Sequence, residues 1–174
     1  MGQTTFSGPV RSLAGFNPSG FNSVVNVASG DNTLTLTAAA HGGRLITVED
    51  TTMEFTVPEI VATEPTDKTD PTQLCNLGLT FKFLWLATAA SGTEINLSGS
   101  DLFIGPITIA LESALQTQFL AEAGDGFQSI DMAGTVTGGI IGTYVEITAV
   151  DSARWITAKS ILMGSGTGET PFTT

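Results

Sequence analysis

The sequence predicts a mainly β protein, either an antiparallel β-sandwich or a jelly-roll-like barrel, with one short helix and extended terminal arms. Three observations lead to this fold class. Charged residues make up only 13% of the 174 positions, and 20 glycines, with many threonines and serines, fill polar positions instead. Such a composition is typical of short strands and turns rather than of solvated helices. Apolar residues also alternate with polar ones in several runs, which turn-forming residues separate.

The run 79–87, with the sequence LTFKFLWLA, is the strongest of these strands and is predicted to lie at the centre of the fold. One face would carry only apolar side chains, those of Leu79, Phe81, Phe83, Trp85 and Ala87. The opposite face starts polar and becomes apolar at Leu84 and Leu86. We therefore expect one face to be buried throughout and the other to be buried along its second half.

Four further strands are predicted before residue 60, over 23–27, 33–37, 44–49 and 52–57. The turn sequence Gly30-Asp31-Asn32 between the first two predicts a β-hairpin. Pro58 has no backbone N–H to donate, so it should end the fourth strand. The segment 59–76 then loses all periodicity and is predicted to be a long loop, which makes it a candidate contact site.

The second half of the chain predicts strands over 94–97 and 102–109, then a helix over 110–123. Leu111, Leu115 and Phe119 recur there at helical spacing, and Gly124 is a suitable stop. A strand is expected within 127–132 and a glycine-rich turn region follows it. Residues 140–150 then form a strong strand, and Trp155 opens the return strand of a hairpin that should close the core.

The two ends of the chain are predicted to be extended segments outside the β-rich domain of residues 23–162. The arm over 1–22 carries isolated apolar anchors, among them Phe6, Val10, Phe16 and Phe21, and the tail over 163–174 carries Phe172. No period connects these anchors, so we expect them to contact a groove or a neighbouring subunit. A disordered terminus is the alternative for the arm.

Charge and composition exclude several classes of function. Six basic residues against 17 acidic ones give a formal net charge of −11, which disfavours nucleic acid and anionic membranes as partners. The N-terminus lacks the apolar core of a signal peptide, so synthesis in a cytoplasm is expected. Cys75 is the sole cysteine and cannot form an intramolecular disulfide.

No residue pattern predicts catalysis, a metal site or a cofactor. His41 is the only histidine and stands beside two glycines without any nucleophile motif, so it is predicted to be a turn residue. The acidic residues are scattered and lack the spacing of a calcium loop, although distant acids brought together by folding could form a glycosidase pair. Trp85 and Trp155 stand among apolar neighbours on strands, which favours core positions over sugar stacking.

Four short segments carry a resemblance that spans most of the chain. They are TTFSGPV at Thr4 to Val10, TMEFTVP at Thr52 to Pro58, GLTFKF at Gly78 to Phe83, and the hairpin from Gly142 to Trp155. Together they resemble small β-rich structural proteins of tailed, often marine, bacteriophages, of the head decoration or cement type. The long loop and the helix predicted above depart from the simplest such proteins.

The resemblance implies a non-enzymatic virion protein on the outer capsid surface, made in the host cytoplasm. Its partners would be the major capsid protein and further copies of the same chain, with a trimer favoured. The alternative is a receptor- or glycan-binding module of a phage tail fibre or spike, which would place exposed aromatic side chains beside acidic loops.

Overall fold

The computed structural model describes residues 24–63, 75–112, 115–157 and 159–174, and this part of the chain forms two packed β-sheets with one short helix. The first elements are β1 (Val24–Val27), β2 (Thr33–Thr35), α1 (Ala38–His41), β3 (Leu45–Val48), β4 (Glu54–Val57), β5 (Thr80–Trp85) and β6 (Thr93–Leu97). The later strands are β7 (Leu102–Leu111), β8 (Gln116–Ala121), β9 (Ser129–Met132), β10 (Tyr144–Ala149), β11 (Arg154–Ile156), β12 (Ser160–Gly164) and β13 (Phe172–Thr173). The predicted mainly β, sandwich-like class is confirmed.

The first six strands alternate between the two sheets. β1, β3 and β5 are parallel neighbours in the large sheet, and β2, β4 and β6 are parallel neighbours in the small sheet. The chain therefore coils three times around the core, as in a parallel β-solenoid. The predicted hairpin over 23–37 is wrong, because β1 and β2 belong to different sheets, and the predicted antiparallel pairing fails for this half of the fold.

The register between the strands explains why this solenoid-like arrangement is stable. Val24 pairs with Leu45 and Thr33 pairs with Glu54, so the chain advances by 21 residues over the first turn in both sheets. In the small sheet this register aligns one inward-facing row across all five strands: Leu34, Phe55, Ile95, Ile130 and Phe172. The large sheet aligns a second such row: Val25, Ile46, Phe83 and Val145. The core lies between these rows.

Hydrogen bonds join successive arches of the coil at one end. The carboxylate of Asp50, in the arch between β3 and β4, accepts from the backbone N–H groups of Gly30 in the previous arch and of Thr52 in its own. The carbonyl of Thr51 in turn accepts from the hydroxyl of Thr93 at 3.0 Å. Burying these polar groups costs little stability because each has a partner.

The second half of the chain extends both sheets mainly through antiparallel pairings, although β11 and β12 are both parallel to β7. β10 lies beside β5, and β11 and β12 follow each other in the space between β10 and β7. β8 pairs with the other side of β7 and is the last strand of the large sheet. β9 and β13 complete the small sheet beside β6.

The helix predicted over 110–123 is wrong, because this segment contains the end of β7 and all of β8. The alternation of β7 continues past residue 109, with Ile107, Ile109 and Leu111 all buried. β8 then supplies a complete ladder to β7, which a helix at this place would leave unpaired. The helical spacing of the apolar residues was coincidental.

Between β11 and β12 the chain contains one residue more than regular pairing with β10 and β7 would allow. Thr148 pairs with Ile156, yet Tyr144 pairs with Ile161 rather than with Ser160. This is a β-bulge. The hydroxyl oxygen of the buried Thr157 lies 3.2 Å from the carbonyl oxygens of both Ile104 and Pro106, so its one proton can be donated to either of them at the interruption. Ser160 similarly exchanges hydrogen bonds with the backbone of Glu146.

β5 occupies the interior position that the sequence predicts, between β3 and β10. Phe81, Phe83 and Trp85 are completely buried on its inner face. The outer face differs from the prediction: Leu84 is only half-buried and Leu86 is 45% exposed. Both sheets pack on a single core, so nothing in the described chain covers this second face.

The two tryptophans are both buried but differ in their hydrogen bonding. The indole N–H of Trp155 donates to Asp101 Oδ2 at 3.1 Å, and the same oxygen accepts from the backbone N–H of Ile60 at 2.8 Å. Trp85 Nε1 has no partner in the described part of the chain. Trp155 therefore stabilises the fold through both packing and a hydrogen bond. The packing of Trp85 also stabilises the fold, but burying its unpaired indole N–H cancels part of that gain.

Replacing Phe83 with Ala should lower the free energy of unfolding by about 3–5 kcal/mol, because it leaves a cavity in the central row. Leu86→Ala, just beyond the end of the same strand, should cost less than about 1 kcal/mol because its side chain is already partly hydrated. Urea denaturation of both variants measures this. Equal midpoints for the two variants would contradict the core assigned to β5.

The tryptophan pair gives a matched comparison. Trp155→Phe should destabilise the protein more than Trp85→Phe, by about 1–2 kcal/mol, since only the former breaks a buried hydrogen bond to a carboxylate. Thermal unfolding of the two variants under identical conditions measures the difference. A larger loss for Trp85→Phe would mean that its indole N–H has an acceptor, such as a buried water.

Candidate functional site

The outer face of the large sheet carries a group of exposed apolar side chains at one end of its middle strands. We call it the large-sheet patch, and it consists of the exposed Leu86, Ile161 and Met163 and the half-buried Leu84. Strand register places the side chains of Leu84, Tyr144 and Ile161 in one row on this face. Ile161 is 51% exposed and Met163 is 37% exposed, while Leu162 between them is buried. Grouped exposed apolar residues of this kind mark interaction sites.

A polar cluster borders the large-sheet patch. The Tyr144 hydroxyl donates to Glu146 Oε2 at 2.7 Å, and Lys159 Nζ lies 3.2 Å from Glu146 Oε1. Partial burial and the adjacent Glu146 carboxylate raise the pKa of Tyr144 to about 12. Burial pushes the pKa of Glu146 upward, but hydrogen bonds from Tyr144 and Lys159 outweigh it and leave that pKa below its ordinary value. The cluster thus forms an ordered polar rim, which begins at Tyr144 between Leu84 and Ile161 and continues along β10 away from the patch.

The outer face of the small sheet is acidic and polar instead. Register aligns Glu54, Glu94 and Asp131 on three adjacent strands, and it aligns a row of neutral polar side chains beside them: Thr35, Thr56, Asn96, Ser129 and Thr173. The Asn96 amide donates to Glu54 Oε1 at 3.2 Å and to Glu94 Oε2 at 3.1 Å. Within the described ranges, no group of three or more acidic, His or Cys side chains is arranged to hold a metal ion.

Asp131 is the member of this acidic row whose charged form the folded structure disfavours. Burial raises the pKa of its carboxyl, and the nearby Glu94 carboxylate raises it further. Asp131 Oδ1 is buried and has no hydrogen-bond partner among the described residues. An ionised Asp131 is therefore unfavourable in the folded state.

The residues that could have supported catalysis or sugar binding have structural roles. His41 ends the four-residue helix α1, and its Nδ1 accepts from the Thr37 backbone N–H at 2.9 Å. Burial lowers the pKa of His41, so its ring is neutral at pH 7. Cys75 is half-buried, with its sulfur 3.8 Å from the Ala62 carbonyl oxygen. Trp85 and Trp155 are completely buried and offer no surface to a sugar ring.

The residues predicted to contact partners separate into two groups. Phe6, Val10, Phe16 and Phe21 lie outside the described residues, as does most of the predicted loop over 59–76. Phe172 is only 2% exposed and stacks on Phe127, with ring centroids 5.4 Å apart. The prediction that Phe172 has no partner within its own chain is therefore wrong, because β13 joins the small sheet and carries it into the core.

Sequence reasoning missed the large-sheet patch. The missed signal is the alternation over 160–164, where Ser160 and Leu162 point inward and leave Ile161 and Met163 on the outer face. Comparison with family models, curated protein sequences and solved structures found no significant match to this chain. Among the described residues, no helix has the length and apolar character needed to cross a membrane.

Asp131→Asn should stabilise the protein at pH 7, because it removes a carboxylate whose ionisation the folded state disfavours. Since the pKa of Asp131 is raised in the folded state, the wild type regains stability as pH falls through that raised pKa towards the ordinary value of 3.8. The advantage of the variant in melting temperature should therefore shrink as the pH falls through the raised pKa and vanish near pH 4. Thermal unfolding at a series of pH values measures it.

Asp50→Asn is the control of opposite sign. Hydrogen bonds from the backbone N–H groups of Thr52 and Gly30 lower the pKa of Asp50, so its carboxylate stabilises the fold at neutral pH. The Asp50→Asn variant should melt below the wild type at pH 7, and the deficit should persist until the pH falls below 3.8. Parallel pH profiles for the two variants would contradict the environments assigned to these carboxyls.

Proposed function

We propose that this protein is a non-enzymatic virion structural protein, a decoration or cement protein that binds the outer surface of a phage head and stabilises it. The observation that carries the proposal is the large-sheet patch, in which Leu84, Leu86, Ile161 and Met163 group on the outer face of a sheet whose inner face already packs on the core. Burying such a patch against another protein is favourable. The partner in this proposal is the major capsid protein.

The position of the patch suits binding to a rigid shell. Leu84 comes from β5, Leu86 follows that strand, and Ile161 and Met163 come from β12. Both strands lie in the middle of the large sheet and not on its edges. Strand ladders on both sides hold these segments, so little conformational freedom is lost when the patch docks. The polar rim of Tyr144, Glu146 and Lys159 supplies directional contacts at its border.

The charge distribution also supports docking through the large sheet. The acidic row of Glu54, Glu94 and Asp131 lies on the outer face of the other sheet, so a protein docked through the large sheet presents this row to solvent. An acidic outer surface repels nucleic acid and other acidic particles, which suits the exterior of a virion. Residues 1–22, with Phe6, Val10, Phe16 and Phe21, are a second proposed contact with the shell.

The resemblance of four segments to phage decoration proteins supports this function over catalysis. The side chains with catalytic potential, His41 and Cys75, make local contacts in the fold. A receptor- or glycan-binding role would need exposed aromatic platforms. Both tryptophans are buried, so this alternative loses the stacking surface on which it depended.

The double variant Ile161→Asp with Met163→Asp should weaken binding to purified heads that lack the protein by at least about 100-fold. Two buried apolar contacts at the centre of an interface are together commonly worth this much, and a buried unpaired carboxylate adds to the loss. Binding is measured by co-sedimentation with heads over a concentration series. The melting temperature of the variant should change little, because both side chains already face outward.

Val150→Asp is the matched control, since Val150 is 45% exposed and lies beyond the opposite end of β10, roughly 20 Å from Tyr144. This variant should bind heads like the wild type. Equal binding by the double variant would remove the patch from the proposal. Deleting residues 1–21 in the same assay measures the contribution of the arm separately.

A further inference from the structure

Among the residues that the structure describes, β8 is the longest edge strand of either sheet. It pairs with β7 on one side, and nothing in the described chain pairs with its other side. β8 has six residues, whereas the other edge strands β1, β2 and β13 have four, three and two. Its sequence QTQFLA contains no charged residue and no proline. Edge strands usually carry such residues to prevent pairing with other chains, so β8 lacks the ordinary protection.

The hydrogen-bond pattern shows which backbone groups of β8 are free. Leu111 N–H donates to the Leu115 carbonyl at 2.9 Å, which makes these two residues a hydrogen-bonded pair of the β7–β8 ladder. Such pairs alternate along an antiparallel ladder, so residues 115, 117, 119 and 121 direct their backbone groups towards β7. Pro106, which has no N–H, stands opposite Leu120, as this alternation requires. The free N–H and C=O groups therefore belong to Gln116, Gln118 and Leu120.

We propose that β8 pairs antiparallel with β8 of a second copy of this chain, about a twofold axis that passes between the two Gln118 residues. In this register Gln118 stands opposite Gln118 of the other copy, and Gln116 stands opposite Leu120. These three residues hold all the free groups, so the twofold pairing satisfies every one of them with six hydrogen bonds. The two large sheets become one continuous sheet across the dimer.

The side chains of β8 fit this register on both faces. On the inner face, Phe119 is half-buried against the core and would cover Thr117 of the other copy. On the outer face, the 58% exposed Leu120 would pack on the stem of Gln116. A one-residue shift would oppose side chains that point to different faces, so the pairing has a defined register.

A second copy suits this edge better than a charged partner. The strand is neutral in a chain of net charge −11, so two copies can meet here without like charges in the contact itself. The charge on the rest of each chain still repels, so added salt should strengthen the dimer. A six-residue strand pair is a small interface, which predicts a weak dimer with a Kd of about 10–100 µM.

This twofold dimer differs from the trimer that the phage resemblance implies. A ring of three could form if β8 paired with β1 of the next copy, at the opposite edge of the large sheet. β1 offers only four residues to such a ladder, so it would leave part of β8 unpaired. The inference concerns β8 alone and is independent of the large-sheet patch, whose role in head binding is tested separately.

Cysteine cross-linking tests the register directly. In a Cys75→Ser background, Gln118→Cys should form a disulfide dimer on mild oxidation, because the two Cα atoms would lie about 5.5 Å apart across the axis. Leu120→Cys should stay monomeric, since its two copies would lie about 14 Å apart. Denaturing electrophoresis without reductant measures the dimer fraction. Equal cross-linking by both variants, or by neither, would overturn the proposal.

Sedimentation velocity over a concentration series tests the association without cysteines. Gln118→Lys should weaken dimerisation at least tenfold, because it sets two like charges against each other on the axis. Thr108→Lys is the matched control, since Thr108 pairs with Gln118 on the next strand inward and does not reach the edge. A wild-type trimer, a monomer at about 1 mM, or equal losses in both variants would overturn the twofold pairing.

Discussion

The fold depends on the alignment of apolar side chains across strands that are distant in sequence. In the small sheet, one inward row runs from Leu34 on β2 to Phe172 on β13, next to the C-terminus. A register slip of one residue in any strand would move its apolar set to solvent and bring polar side chains into the core. The arch between β3 and β4 supports this alignment. Its Asp50 carboxylate accepts a hydrogen bond from Gly30 in the preceding arch, and its Thr51 carbonyl accepts one from Thr93 at the start of β6.

Once that register is set, the character of both outer faces follows from the residues between the buried ones. On the small sheet these residues are acidic or neutral polar, and Asn96 joins two of the carboxylates. On the large sheet the corresponding positions are apolar at one end, at Leu84 and Ile161. The protein therefore has one face suited to solvent and one suited to another protein. This difference, rather than any catalytic geometry, supports the proposed role on a phage head.

Local alternation was enough to predict β5, β4 and the hairpin that Trp155 opens, because period two is visible within each strand. Pairing partners could not be read in the same way: the turn at Gly30 fits both a hairpin and an arch between sheets. The recurring nine-residue spacing, from Val25 to Leu34 and again from Ile46 to Phe55, was the available signal for a solenoid-like winding.

The error over 110–123 has a similar cause, because the apolar spacing in β8 fits both the helical period and the strand period, and only the ladder with β7 decides between them. Phe172 seemed isolated because its partner Phe127 is distant in sequence.

In the proposed role, the large sheet faces another protein and the small sheet faces solvent. An electron cryomicroscopy map of the decorated particle, at a resolution that separates strands, tests it most directly. We expect density for the protein on the outside of the head, with Ile161 and Met163 against the shell and the row of Glu54, Glu94 and Asp131 facing outward. Density at the tail, or a head-bound protein whose small sheet contacts the shell, would contradict it.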